Sequence, residues 1–126
     1  MGSRANVVVR ENESQVWLYC HWSGSSYVDK TRAAIAKRWR WTDAPYLARI
    51  IFDTLTEGHQ GDETGFGITT RITDNEYPVL VVDCTRKQVY FVQENELDEE
   101  GRVPVDYRPV KAQSFADFAA CEAAED

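Results

Sequence analysis

A chain of 126 residues has the length of one domain, 1–126, and can bury about two thirds of its unfolded surface, so it needs no disulfide or metal scaffold. The net charge of −7 makes the surface as a whole unattractive to DNA, and a 12% aromatic share argues against disorder. No apolar run approaches the roughly 20 residues that a membrane helix requires.

The opening MGSRANVVV has a basic residue but only a short β-like apolar run, which does not make a signal peptide. Met-Gly at the start invites N-myristoylation, but that pattern needs Ser or Thr where Asn6 stands. Residues 1–4 are expected to be flexible or partly a cloning remnant. Cys20, Cys84 and Cys121 are odd in number and far apart, which is neither a zinc motif nor a disulfide framework. Reduced cysteines point to the cytoplasm.

Residues 5–10 (ANVVVR) and 15–22 (QVWLYCHW) read as strands joined by the polar turn ENES. In the second, Val16, Leu18, Cys20 and Trp22 share one face and Trp17, Tyr19 and His21 the other, so the strand is expected to lie inside the sheet. SGSS then breaks the pattern, and Ser26 with Asp29 resembles a capping box. A helix is predicted over 27–38, with Val28, Thr31 and Ile35 on its apolar side. Asp43 and Pro45 suit the start of a second helix over 44–56, which Gly58 closes.

The segment GHQGDETGFG follows this helix and opens a strand, the reverse of the order a phosphate-cradling loop requires. Strands are predicted over 66–72, 77–83 and 87–93. Their short connectors TDNE and CTR imply hairpins and an antiparallel meander. The middle strand is apolar on both faces, which places it centrally. Residues 94–102 read as an acidic solvated loop, residues 103–107 as a short extended piece, and Phe115, Phe118 and Ala119 mark a short final helix.

The expected fold is therefore α+β. A single antiparallel sheet of about five strands, in ββααβββ order, carries two central helices on one face and a short C-terminal helix at an edge.

Charge is distributed unevenly. Between Val28 and Ile50 six basic residues face two acidic ones, so a +4 segment sits in a −7 chain. At its centre is KRWRW: Lys37, Arg38, Trp39, Arg40 and Trp41. The helix dipole favours cations at the predicted helix end, and tryptophans can fill a helix–helix corner. The same residues are the leading candidate for binding a protein partner, since Trp and Arg are favoured interface anchors. A nucleotide is the second reading, with the phosphate on a cation and the base stacked on an indole.

A second candidate is the acidic surface of Glu94, Glu96, Asp98, Glu99 and Glu100, with the acidic tail, for a basic partner. Catalytic sets are poorly supported. Cys20 and His21 are adjacent on a strand and point to opposite faces. Cys84 with His59 has no supporting spacing. His59 with Asp62 or Glu63 leaves a small hydrolase as a further alternative. Neither a metal site nor a cofactor is expected.

Four segments, SRANVVV, YCHWSGSSYVDKT, YLARIIFDTL and DNEYPVLVVD, resemble small proteins encoded by bacteriophages and prophages. The likeness covers about residues 3–92. It implies a host-cell cytoplasmic context and action by binding, as an inhibitor of a host protein or an immune complex. It implies no site residues. The expectation is thus a non-enzymatic, phage-type accessory protein with a host protein as partner. A nucleotide or cyclic-nucleotide binder is the alternative, direct DNA binding is disfavoured, and a homodimer is left open.

Overall fold

The structure, a computed structural model, describes residues 4–21 and 26–121. The expectations placed on Met1–Ser3, on Trp22 and on the acidic tail lie outside the described residues. The order is β1 (Ala5–Glu11), β2 (Ser14–Cys20), α1 (Ser26–Ala36), α2 (Ala44–Leu55), β3 (Phe66–Thr69), β4 (Val79–Asp83), β5 (Gln88–Val92), β6 (Gln113–Ser114) and α3 (Phe115–Ala120). The fold is α+β with a single sheet, as the sequence implies.

The sheet runs β3-β2-β1-β4-β5-β6, with six strands among the described residues. It is mixed, because β1 and β4 pair in parallel, Val7 beside Leu80 and Val9 beside Val82, while every other pair is antiparallel. The expected meander is corrected here. β3 ends at Thr69 and pairs with β2, so residues 70–78 are no hairpin. They cross to β4 on the far side of β1.

Buried Asn6 holds that crossing. Its Nδ2 donates to the Thr73 carbonyl (3.3 Å), the Asp74 carbonyl (3.1 Å) and Asn75 Oδ1 (3.0 Å), and its Oδ1 accepts from the Thr73 amide (3.3 Å). At the end of the crossing Glu76 pairs with Arg4 at 2.9 Å.

Alternation along the strands gives the sheet two covered faces. On one, Val7, Val9, Leu18, Leu80 and Val82 pack against Ile35 of α1, Leu47 and Ile51 of α2, and Phe115 and Phe118 of α3. On the other, Val8, Trp17, Val79, Val81, Tyr90 and Val92 meet Val103, with Leu97 and Tyr107 at the margin. Two buried side chains strap residues 103–105 over this second face. Gln15 Nε2 donates to the Val103 carbonyl (2.6 Å), and the Arg10 guanidinium donates to the Pro104 (3.3 Å) and Val105 (3.0 Å) carbonyls.

Candidate binding surface

The surface of interest begins where α1 stops. The amides of Lys37 and Arg38 bond to the carbonyls of Ala34 (3.2 Å) and Ile35 (2.9 Å), a tightened last turn. Arg38 then takes φ +63° and Arg40 φ +58°, the left-handed region that usually calls for glycine. The helix therefore ends at Ala36 and not at Arg38 as the sequence suggests. The chain turns back into α2, where Asp43 Oδ1 accepts the Tyr46 amide at 3.3 Å and Pro45 occupies the first turn.

This corner gives the two tryptophans opposite fates. Trp41 is half-buried against the core; its Nε1 donates to the Ile35 carbonyl (3.0 Å) and its ring meets Phe115 edge-on, centroids 5.5 Å apart. Trp39 is 57% exposed.

Each cation of the motif rests over a ring. Lys37 Nζ lies 4.9 Å from the Trp39 centroid, the Arg38 guanidinium 5.0 Å from Trp41, and that of Arg40 4.6 Å from Tyr46. Trp39, Arg40, Tyr46, Arg49 and Ile50 border an open recess of about 460 Å³. On the other side of Arg49, Val16, Pro45, Ala48, Phe52 and Ile68 line an almost wholly apolar groove of about 240 Å³.

The +4 segment is thereby divided. Arg32 is spent internally: it pairs with Asp29 at 2.9 Å, donates to the Phe118 carbonyl (3.0 Å) and covers the Phe118 ring. Lys37, Arg38, Arg40 and Arg49 remain exposed at the corner. All five residues of KRWRW thus come together, four facing outward and Trp41 anchoring them. Sequence reasoning counted Arg49 in the basic segment without placing it in the site, and it missed Tyr46 and Ile68. Tyr46 had a readable signal, an aromatic off the apolar stripe of α2. Ile68 had none, because only the pairing of β3 at the sheet edge shows that it is 64% exposed.

The acidic candidates lie on the other layer. Glu94–Glu96 forms a 3₁₀ turn beside Leu97, which packs on the strapped face. Glu96 caps this turn by accepting the Gln93 amide (2.8 Å), and Asp98 Oδ1 accepts the amides of Glu100 (2.9 Å) and Arg102 (3.1 Å). Glu94, Glu99 and Glu100 are exposed.

The remaining titratable groups offer little chemistry. Burial pushes the Cys84 thiol up to about 12, with Glu11 and Asp83 adding to the effect, so it is a poor source of thiolate. His59 Nδ1 lies 3.2 Å from Asp62 Oδ2, both exposed, and its ring faces Phe66. Tyr19 Oη is 2.7 Å from His21 Nδ1, beside a recess of about 510 Å³ that Arg71 and Asp74 also line. Among the described residues no cluster of three His, Cys, Asp or Glu could hold a metal ion, and no helix is long and apolar enough to cross a membrane.

Comparison of the chain with protein-family models, curated proteins and solved structures finds no match. Fold and surface define a class only: an α+β protein that presents a basic–aromatic corner.

Proposed function

We propose that this protein acts by binding another protein through the α1–α2 corner, with Trp39, Tyr46, Arg40 and Arg49 as anchors and Lys37 and Arg38 beside them. One observation carries the reading. The corner holds its cations on aromatic rings and leaves Trp39 57% and Tyr46 51% exposed. Large rings are costly to leave in water, and Trp, Tyr and Arg dominate the energetics of protein interfaces. The resemblance to phage-encoded proteins makes a bacterial host protein the expected partner and its inhibition the expected effect.

Affinity capture from bacterial lysate tests this when wild type is run beside Trp39→Ala/Arg40→Glu. A protein enriched by wild type at physiological salt and lost with the variant is the expected result. Equal capture by both forms counts against the corner. Truncating one interface anchor typically costs about 2 kcal/mol or more, some thirtyfold in affinity, which is ample for the comparison.

The recess also falls within the size range of small-molecule sites, which keeps a nucleotide as the second reading. A thermal-shift panel of nucleotides discriminates: ligand at 100 times its Kd stabilises by about 2.7 kcal/mol, and Arg40→Glu should cancel that shift.

A further inference from the structure

We propose that the segment docking on this corner is acidic and carries an apolar anchor, its carboxylates meeting Arg40 and Arg49 and its anchor entering the groove beside Ile68. The inference rests on the protein-binding reading above and specifies the chemistry of the partner.

The first argument is charge. Among the described residues, Lys37, Arg38 and Arg40 have aromatic rings and not carboxylates as their partners. A ring leaves the charge of a guanidinium uncancelled and its N–H donors available, and Arg presents those donors in a fork that matches a carboxylate. Arg49 does have a carboxylate, Asp53 at 2.6 Å, but both side chains are at least half exposed. Such a pair contributes little and can be exchanged for an incoming acid. The corner is therefore a local positive site in a chain of net charge −7, and its electrostatic complement is an acid.

The second argument is the neighbouring groove. Pro45, Ala48, Arg49 and Phe52 follow one another at helical spacing along α2, so the groove runs with the helix axis. Arg49 borders both compartments. The two therefore form a continuous surface with a basic–aromatic end and an apolar end, and Ile68 of the edge strand supplies the outer wall. A nucleotide fills the first compartment and leaves the second in water. A peptide with an acidic and an apolar residue a few positions apart covers both.

The other exposed apolar site is less informative. The recess of about 510 Å³ between β5 and residues 110–113 exposes Phe91 and Val110. Nothing around it specifies an occupant.

The test is selection from a displayed library of random 12-residue peptides against the full chain. Selected peptides are then synthesised with a fluorophore and titrated by anisotropy. Enrichment of Asp or Glu together with a Leu, Ile, Val, Phe or Trp is expected. Arg40→Glu should weaken the selected peptides at least tenfold and Ile68→Ser several-fold, with the thermal midpoints of both variants close to wild type. Changing the peptide's acid to Lys should restore binding to Arg40→Glu, a rescue that a merely structural role cannot give.

Neutral or basic peptides that still require Trp39 would overturn the acidic assignment and leave the docking reading standing. Peptides indifferent to both Trp39→Ala and Tyr46→Ala, or no enrichment at all, would overturn both. A nucleotide that stabilises wild type and competes with the peptides would replace the peptide as the ligand.

Discussion

Arg38 and Arg40 carry a cost that nothing nearby requires of arginine. Among the described residues, four that are not glycine have positive φ: Asn12, Arg38, Arg40 and Lys87. Asn12 and Lys87 turn hairpins, where a left-handed residue is part of the turn, and Asn tolerates it well. Arg38 stands just past a helix end, where glycine is the usual choice. A left-handed non-glycine residue costs about 1 kcal/mol, and here it keeps the two guanidinium groups over Trp41 and Tyr46. Arg38→Gly should therefore be more stable than Arg38→Ala by about 1 kcal/mol in urea unfolding, since both lose the same side chain. Ala33, exposed inside α1, supplies the control with the opposite sign: Ala33→Gly should lose about 0.5–1 kcal/mol. Equal stabilities for the two Arg38 variants would contradict the left-handed conformation. The motif was legible as a corner rich in charge and rings. Its division into a buried Trp41 and an exposed Trp39 was not, because that depends on two backbone angles that no residue type advertises.

At the level of elements, periodicity located the three helices and β1 to β5 to within a few residues, because each buries a regular face, but it gave no sign of the two-residue, exposed β6. Pairing was less legible. TDNE looks like a hairpin connector, yet β3 and β4 lie on opposite sides of the β2–β1 pair. What clasps the crossing is Asn6, 67 to 69 residues away in sequence from the groups it binds. The apolar alternation of β4 announced that both faces need cover. It did not reveal that residues 97–107, read as acidic loop and extended piece, provide it. The segments SRANVVV and DNEYPVLVVD meet at this crossing, through Asn6 and Arg4 in the first and Asn75 and Glu76 in the second, which gives those residues an architectural role. Asn6→Ala should accordingly cost about 2–4 kcal/mol, since it leaves buried carbonyl and amide groups without their partner. Hydrogen exchange at the Thr73 amide should accelerate in the same variant. Arg4→Ala, which breaks the more exposed Arg4–Glu76 pair, should cost no more than about 1 kcal/mol. Similar losses for the two would remove Asn6 from its position as the clasp.

The molecule as a whole is a sheet with unlike layers, helices with the basic corner on one side and the acidic turn with its strap on the other. Weakly acidic groups are nonetheless buried in both. On the helix side burial pushes the Cys84 thiol and the Tyr27 phenol each up to about 12, and Tyr27 also donates to the Pro78 carbonyl at 2.7 Å. On the strapped side burial, reinforced by Asp83, raises Tyr90, whose hydroxyl donates to Asp83 at 2.9 Å. Each group keeps its proton in the folded state at pH values where the unfolded chain has lost it. Above the unfolded pKa, near 9 for the thiol and 10 for the phenols, the unfolded state binds fewer protons and stability falls as pH rises. These contributions are complete below about pH 9 and are lost progressively toward pH 12. Urea midpoints measured from pH 7 to 11 should therefore show no loss from these groups up to about pH 9 and a continuous decline above it. Of these three groups Cys84 titrates first in the unfolded chain, so in Cys84→Ala the decline between pH 9 and 10 should become shallower whatever its effect on stability at pH 7. If its curve runs parallel to wild type across that interval, the buried thiol is not the source of the early loss. The decline that remains in Cys84→Ala above pH 10 is then carried by the tyrosines, foremost the two most deeply buried, Tyr27 and Tyr90, one on each face of the sheet.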